Sequence, residues 1–300
     1  MKCIVTGGAG FIGSNLVERL SKDEHEVQVI DNLHTGSVSN LEGLGCEFHK
    51  MDAGKINSIG VNADIVFHQG IYSSSPMYNE DRTLMSKVID EFISILEYCK
   101  EKNAKLVWAS TSSLYNGIKP PHKEDCVAFA KDFYTEPRLM MERVAQIYSR
   151  RFGISAIGLR YFSVYGPKER SKGKYANLVS QFLWDMFEDR APVIYGNGEQ
   201  RRDFTYVDDV VEANILASKS NIKFGVYNVG TAKNYSLNEL VEILNSKLGK
   251  KISTKYIENK VRDYVDVTLA DTTKAKDELG FEAGIALEQG IEKLINYYKH

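Results

Sequence analysis

The stretch KCIVTGGAGFIGSNLVERLSK, residues 2–22, joins a short apolar run to an amphipathic segment through a glycine-rich turn. The run KCIVT predicts a strand, and the apolar residues of FIGSNLVERLSK recur every three or four positions, which predicts a helix. Between them, Gly7, Gly10 and Gly13 have the spacing G-x-x-G-x-x-G. The first permits a tight turn, the second lets backbone N–H groups approach a pyrophosphate, and the third lets helix and strand pack closely. The stretch therefore predicts a dinucleotide-binding strand–turn–helix unit.

An acidic residue follows this unit at the distance that a dinucleotide site requires. Asp31 ends the predicted strand VQVID, 21 residues beyond Gly10, where a carboxylate can accept hydrogen bonds from both hydroxyls of the adenosine ribose. Asn32 and Leu33 come next and offer no arginine for a 2′-phosphate, so we expect NAD rather than NADP. Asp52, after the third predicted strand, is a candidate for the adenine side, although a carboxylate that caps a turn also fits this position. The predicted cofactor-binding residues of this part of the chain are Gly7, Gly10, Phe11, Ile12, Gly13, Asp31, Asn32, Asp52 and Ala53.

The first half of the chain alternates apolar runs with amphipathic stretches. DIVFH, KLVWAS and SAIGLRYF read as further strands, and residues 82–101 and 133–152 as helices between them. This alternation predicts an α/β fold with a Rossmann-type, doubly wound parallel sheet and a smaller α/β substrate-binding cap domain. The NAD-binding domain is expected to comprise residues 1–163 with returning segments at about 203–230 and 265–275, and the cap residues 164–202, 231–264 and 276–300.

The composition excludes several classes of function. The chain has 300 residues, of which 43% are hydrophobic, so it can bury a sizeable core. Its 38 basic and 40 acidic side chains give a net charge of −2, which implies neither a nucleic-acid nor a membrane-surface partner. No apolar run reaches the roughly 18 residues of a membrane span. The cysteines lack any CxxC or Cys/His spacing, which predicts reduced, packed thiols, no metal site and a cytoplasmic location; they are Cys3, Cys46, Cys99 and Cys126.

A second constellation lies in DFYTEPRLMMERV, residues 132–144. Tyr134 and Arg138 stand four positions apart at the start of a predicted helix and therefore share one face. A phenol beside a fixed cation can lose its proton below its ordinary pKa of about 10. Thr111 directly follows the predicted strand KLVWAS, at the sheet edge where ligands bind. The pattern indicates either a working base or a surface tyrosine beside a surface arginine.

Ordered motifs along nearly the whole chain resemble the extended short-chain dehydrogenase/reductase family, and within it the nucleotide-sugar epimerases. The motifs are VTGGAGFIGSNL, DNLHTG, ASTSSLY, FYTEPR, GLRYFSVYGP, GEQRRDFTYVDDVVEA, YNVG and ADTTKAKDELGF.

The resemblance implies a catalytic role for three residues. Thr111 falls on the family's catalytic Ser or Thr, and Tyr134 falls on its base. Arg138 stands where the family nearly always has Lys, which holds the nicotinamide ribose and lowers the pKa of the tyrosine. Because a guanidinium keeps a permanent charge and five donors, we expect both duties to survive, although it cannot relay a proton. Tyr134 and Arg138 are accordingly also expected to contact the cofactor.

Departures from the family pattern narrow the expected chemistry. Ser112 and Ser113 stand where the 4,6-dehydratases carry Asp-Glu, and the decarboxylases keep that Glu, so both reactions are disfavoured. Ser163 replaces a frequent Asn that contacts the substrate diphosphate, and Arg202 and Arg262 match arginines that grip it. Tyr195 is expected near the nucleotide base or packed in a strand, and Ser73 near the sugar or in a polar turn. The predicted substrate-binding residues are Ser73, Thr111, Ser163, Lys172, Tyr195, Arg202 and Arg262.

The resemblance therefore implies an NAD-dependent UDP-hexose 4-epimerase that acts on glucose/galactose or N-acetylhexosamine forms through a transient keto sugar. Thr268, small where some members carry a tyrosine, is expected to leave room for an N-acetyl group. One alternative is a nucleotide-heptose 6-epimerase, because the loop GPKERSKGKYANL places Lys172 where those enzymes keep a second proton-transferring Lys. Another is a non-catalytic dinucleotide-binding regulator, which only the Lys-to-Arg change supports.

A homodimer is also implied, through the helices near residues 85–101 and 134–151. Tyr98, Met140 and Tyr148 are expected either at that seam or in the core.

Overall fold

The structure is a computed structural model that describes residues 1–126, 128–259 and 265–299. Its strands are β1 (Lys2–Thr6), β2 (Glu26–Asp31), β3 (Cys46–Lys50), β4 (Ile65–His68), β5 (Lys105–Thr111), β6 (Ala156–Tyr161), β7 (Val164–Tyr165), β8 (Val193–Tyr195), β9 (Arg201–Arg202), β10 (Thr205–Tyr206), β11 (Phe224–Val229), β12 (Tyr235–Ser236) and β13 (Lys255–Ile257). Its α-helices are α1 (Phe11–Lys22), α2 (Ser75–Glu80), α3 (Leu84–Lys102), α4 (Thr135–Phe152), α5 (Leu178–Phe187), α6 (Val207–Lys219), α7 (Leu237–Leu248), α8 (Thr273–Leu279) and α9 (Leu287–Lys299).

Seven strands form one parallel sheet in the order β11-β6-β5-β4-β1-β2-β3. The chain builds outward from β1 to β3, then crosses back and continues from β4 on the other side of β1. This reversal opens a crevice between the carboxyl ends of β1 and β4, which is where ligands bind in doubly wound sheets. The predicted Rossmann-type parallel sheet is thus confirmed.

Helices cover both faces of the sheet, because successive side chains of a strand point to opposite sides. Cys3 and Val5 of β1 pack in an apolar cluster with residues of α1 and α6. Ile4, between them, packs in a second cluster with residues of α3 and α4. Both faces of β1 are therefore buried, as its unbroken apolar run requires.

The later part of the chain forms three two-stranded sheets, β7 with β10, β8 with β13 and β9 with β12. A third apolar cluster lies here, built largely from α5, α7 and α9 and represented by Phe182, Leu240 and Ile291. β11 instead joins the edge of the large sheet beside β6. The proposed boundaries between an NAD-binding domain and a cap remain a prediction.

A buried ion pair fastens α4 to the sheet. Glu142 of α4 and Arg160 of β6 have side chains that are 7% and 5% exposed. Arg160 Nε donates to Glu142 Oε1 at 2.9 Å, and Nη2 donates to Oε2 at 2.7 Å. Ser110 of β5 donates to the same carboxylate at 2.6 Å, while Arg160 Nη1 donates to Tyr115 Oη at 2.7 Å. The middle of α4 is thereby held against the ends of β5 and β6.

The residues expected at a dimer seam have different environments. Tyr98 is 1% exposed and donates its hydroxyl to Val61 O at 2.7 Å, so it belongs to the core and not to a seam. Tyr148 is half-buried and bonded to a neighbouring carboxylate, and Met140 is 44% exposed on α4. The homodimer itself remains a prediction.

All four cysteines are free thiols. Cys3 and Cys99 are buried, and burial raises the pKa of Cys3 to about 11. Cys46 and Cys126 are only partly buried, but each packs against an apolar cluster, so all four thiols are packed as expected. Across the described ranges, no helix is long and apolar enough to cross a membrane, and no cluster of three or more His, Cys, Asp or Glu side chains could hold a metal.

Candidate functional site

The glycine turn after β1 is tight because its residues lack side chains. Gly7 has φ +68°, and a Cβ built on it would lie 2.5 Å from Gly70 Cα. A Cβ on Gly13 would lie 2.0 Å from the carbonyl oxygen of Gly7, far inside any real contact. The first turn of α1 therefore packs directly on the end of β1, and α1 begins at Phe11 immediately after Gly10. This is the backbone arrangement that lets amide groups approach a pyrophosphate.

The crevice beside this turn contains a cavity of about 740 Å³. It is lined by eight of the predicted cofactor-binding residues, which are Gly7, Gly10, Phe11, Ile12, Gly13, Asp31, Asn32 and Ala53. Asp52 does not line it among the described residues. Instead, Asp52 accepts a hydrogen bond from Asn32 Nδ2 at 2.8 Å, and this bond holds the pKa of its carboxyl below the ordinary value.

The carboxylate of Asp31 is held at the end of β2 by two backbone amides. Its Oδ1 accepts from Leu33 N at 2.7 Å and its Oδ2 from Ala9 N at 3.0 Å. The residue is 7% exposed, and burial raises the pKa of its carboxyl despite these bonds. An ionised carboxylate has about four acceptor positions, so two remain for the hydroxyls of a ribose. The turn, the cavity and this carboxylate together fit a dinucleotide.

A second cavity, of about 910 Å³, continues from the first. Six of the predicted catalytic and substrate-binding residues line it together: Ser73, Thr111, Tyr134, Arg138, Ser163 and Lys172. The two cavities share the wall residues Phe11, Ile12, Gln69, Ile71, Ser73 and Lys172. The predicted cofactor site and the predicted reaction site therefore form one continuous cleft.

Tyr134 and Arg138 are positioned by the start of α4. Asp132 Oδ1 accepts hydrogen bonds from the backbone N–H of Tyr134 at 3.1 Å and of Thr135 at 2.7 Å, which satisfies amides that a helix leaves free at its N-terminus. Arg138 is 3% exposed, and its Cζ lies 5.0 Å from the centroid of the Tyr134 ring. Its Nη2 donates to Tyr72 O at 2.5 Å. The guanidinium is thus buried and fixed beside the phenol and does not extend into solvent.

Thr111 reaches the cleft because β5 ends there. It is 5% exposed, and its Oγ1 accepts from Ser113 N at 3.1 Å, which starts a short 3₁₀ turn over 112–115. Ser112 and Ser113 also line the second cavity. The two positions after the threonine therefore present hydroxyl groups to the cleft and no carboxylate.

Lys172 belongs to both cavities. Its Nζ lies 3.1 Å from Glu169 Oε1, and the same ammonium lies 5.4 Å from the centroid of the Phe11 ring. The side chain is 15% exposed. It is therefore an anchored residue of the cavity wall.

Two other predicted substrate contacts, Tyr195 and Arg202, are not among the residues that line the cleft. Tyr195 is 45% exposed and Arg202 donates to the carbonyls of Arg201 and Asp266, and neither lines the two cavities as described. Arg262 lies outside the described residues. Thr268 is buried, its Oγ1 accepts from the backbone amide of residue 203 at 3.1 Å, and it is not among the residues that line either cavity; the expected space for an N-acetyl group remains a prediction.

Sequence reasoning missed several residues of the cleft. Gln69 and Tyr72 follow β4, and Tyr175 and Asn177 precede α5, at points where the sequence shows only polar loop residues. Glu91 was detectable, because it interrupts the apolar face that α3 otherwise presents to the core. A charged residue at a core-facing helical position is a signal of a buried site.

Comparisons with known proteins agree with this geometry. A family model described as the NAD dependent epimerase/dehydratase family matches residues 3–230. A putative UDP-glucose 4-epimerase from Methanocaldococcus jannaschii is 33% identical over 99% of this chain and 98% of its own length. UDP-glucuronic acid decarboxylase 1 from Xenopus tropicalis is 29% identical over 99% of this chain and 72% of its own.

Two solved structures are similar over nearly their full length. One is a UDP-N-acetylglucosamine 4-epimerase from Methanobrevibacter ruminantium M1 in complex with UDP-N-acetylmuramic acid, with a TM-score of 0.94, 29% identity and coverage of 99% of this chain and 98% of that one. The other is the ADP-L-glycero-D-manno-heptose-6-epimerase of Helicobacter pylori, with a TM-score of 0.90, 31% identity and coverage of 99% and 96%. The chain therefore belongs to the NAD-dependent epimerase/dehydratase family, with NAD as its cofactor, as the extended short-chain dehydrogenase/reductase motifs predicted.

Proposed function

We propose that the chain is a UDP-hexose 4-epimerase that acts on the glucose/galactose or the N-acetylhexosamine pair. The observation that supports this most is the shared cavity of Thr111, Tyr134 and Arg138, which opens directly into the dinucleotide cavity. A sugar hydroxyl in the second cavity would meet a base, a hydroxyl partner and a cation at once.

Each of these side chains has a distinct task in the proposed reaction. Bound NAD supplies the chemistry of reversible hydride transfer to and from a sugar carbon. Thr111 and the phenolate of Tyr134 hydrogen-bond the same sugar hydroxyl, and Tyr134 removes its proton. Tyr134 then returns the proton after the keto sugar has presented its other face. The net result is the inversion of one stereocentre without a change in the redox state of the enzyme.

Arg138 contributes electrostatically. Its charge is permanent, and a cation held beside a phenol favours the ionised form of that phenol. The carbonyl of Tyr72 fixes the guanidinium, so the charge stays next to the ring through the cycle. Because an arginine does not release its proton, Tyr134 has to give back the proton that it removed.

The hydroxyls of Ser112 and Ser113 support epimerisation over the family's other reactions. Dehydration and decarboxylation need a carboxylate acid or base at these positions, and a serine cannot take that role near neutral pH. The similarity to a UDP-N-acetylglucosamine 4-epimerase supports the N-acetylhexosamine pair alongside glucose and galactose.

A nucleotide-heptose 6-epimerase is the second candidate, and the position of Lys172 favours it. That lysine lines both cavities and could exchange a proton with a sugar carbon or hydroxyl from a direction other than that of Tyr134. A Lys172→Met variant that keeps UDP-hexose turnover would argue against this role.

The test is turnover on defined substrates. The purified protein is incubated with UDP-glucose, UDP-N-acetylglucosamine or an ADP-heptose, and products are resolved by NMR. We expect UDP-hexose conversion, with Tyr134→Phe about 10²- to 10⁴-fold slower in kcat and unchanged in NAD binding, and with Tyr297→Phe, a surface tyrosine, unaffected. Turnover of the heptose alone would select the second candidate, and NAD binding without any turnover would select the non-catalytic regulator.

A further inference from the structure

Glu91 is a buried carboxyl group that the proposed reaction does not use. It lies on α3, 9% exposed, in the wall of the dinucleotide cavity. Its Oε1 is buried and has no hydrogen-bond partner within the part of the chain that the structure describes. The ammonium of Lys87, one helical turn earlier, lies 3.9 Å away. At 3.9 Å Lys87 forms an ion pair with this oxygen but no hydrogen bond, and a buried polar atom without a hydrogen bond costs free energy, so a donor bound in the cavity would complete the site.

The surroundings of Glu91 are those of a base-binding slot. The cavity wall around it includes the apolar side chains of Ile30, Met51 and Ala53. Ile30 adjoins Asp31 in β2, and the backbone N–H of Met51 donates to Asp31 O at 3.1 Å, so these side chains neighbour the residue that fits the adenosine ribose and an adenine ring would lie against them. Apolar side chains suit the faces of the ring, and a single polar group suits its edge.

The edge of adenine carries one exocyclic amino group, which is a hydrogen-bond donor. We propose that Glu91 reads this amino group, with a carboxyl oxygen accepting its N–H. The inference rests on NAD as the cofactor and is independent of which sugar nucleotide reacts. It assigns to α3 a role in choosing the base of the dinucleotide, separate from the ribose contact of Asp31.

The protonation state of Glu91 determines how strongly it is expected to favour adenine over a base that lacks the amino group. Burial raises the pKa of its carboxyl to about 7, with the charge of Lys87 opposing and that of Asp52 adding to the shift. His34 is another residue with an ionisable side chain in the wall of the same cavity. An ionised Glu91 can only accept, whereas a protonated one can also donate.

Nicotinamide hypoxanthine dinucleotide provides the comparison ligand, because it replaces the exocyclic amino group by an oxo group; it also carries a hydrogen on the ring nitrogen N1, which has none in adenine. Dissociation constants for both dinucleotides are measured by calorimetry on the full chain at pH 8. Glu91→Ala and Glu91→Gln test the contact, and Asp90→Ala is the control, since Asp90 is exposed on the same helix. Thermal melts establish that each variant is folded.

At pH 8 the wild type and Asp90→Ala should prefer NAD by about 10- to 100-fold, the range of a hydrogen bond to a charged group. Glu91→Ala should bring the two affinities within about twofold. Equal affinities in the wild type, or an undiminished preference in Glu91→Ala, would overturn the proposal.

The pH dependence gives a second readout. At pH 6 the wild-type preference should shrink severalfold, because the protonated carboxyl can donate to the oxo group. Glu91→Gln is always neutral, so its smaller preference should not change between pH 6 and pH 8. Because His34, Lys87 and Asp52 are present in both proteins, the same pH response in Glu91→Gln and the wild type would assign the effect to those groups and refute the role of Glu91.

Discussion

Replacing Glu142 by alanine should destabilise the fold more than any other single loss of charge on α4. The change leaves the guanidinium of Arg160, 4% exposed, without its carboxylate, and it removes the acceptor of the Ser110 hydroxyl. Loss of one partner of a buried ion pair costs about 3 to 5 kcal/mol because the remaining charge stays desolvated. This is a large fraction of the roughly 5 to 15 kcal/mol that stabilises a typical protein. With a urea m-value of about 3 kcal/mol per molar, the unfolding midpoint should fall by about 1 to 1.7 M.

Two further variants decide whether the desolvated charge is the cause. Glu136→Ala removes an exposed carboxylate from the first turn of the same helix, and it should cost less than about 1 kcal/mol. The double variant Glu142→Met with Arg160→Met removes both buried charges, and it should recover most of the loss. The reasoning fails if Glu142→Ala costs less than about 1 kcal/mol, or if the double variant is no more stable than the single one.

Three other changes test the site. The folded-state pKa of Glu91 is raised from 4.5 to about 7, so the protonated carboxyl contributes fully to the free energy of unfolding below about pH 4.5, and this contribution is lost as the pH rises through 7. In urea unfolding, the cofactor-free wild type should therefore lose up to about 3 kcal/mol of stability relative to Glu91→Gln between pH 4.5 and pH 8. Parallel pH profiles of the two proteins would contradict this. Gly13→Ala should abolish NAD binding by calorimetry, because its Cβ would overlap the preceding turn, whereas Gly45→Ala, with open space around it, should bind normally; normal binding by Gly13→Ala would show that the turn can yield. Arg138→Lys should keep kcat within about tenfold and Arg138→Ala should lower it about 10²-fold or more, and equal kcat values for the two would remove the electrostatic role of the cation.

The elements that depend on local sequence could be predicted closely. The strand at 2–6 and the helix at 11–22 have the predicted bounds, because apolar period and glycine spacing act within a few residues. The meeting of Thr111 with Tyr134 was also predictable, since the carboxyl ends of parallel strands and the helices that follow them share one edge of the sheet.

Long-range pairing accounts for the residues that could not be placed from sequence. Arg202 lies in β9, whose partner β12 is more than thirty residues away, and that pairing orients its side chain. Tyr195 lies in β8 and depends on β13 in the same way. The position of Tyr98 on its helix also suits a dimer seam, but its hydroxyl donates a hydrogen bond to the backbone of the loop that precedes β4. In each case the decisive neighbour is distant in sequence and leaves no periodic signal.

The backbone of Tyr72 touches both halves of the cleft. Tyr72 lines the dinucleotide cavity, and its carbonyl oxygen accepts a hydrogen bond from Arg138, which lines the neighbouring cavity. A ligand in the dinucleotide cavity that immobilises the backbone at Tyr72 would reduce the conformational entropy that a ligand in the neighbouring cavity would otherwise have to remove. By thermodynamic reciprocity the two occupants would strengthen each other by the same factor, so under the proposed function we expect weaker binding of the sugar nucleotide when the dinucleotide compartment is empty.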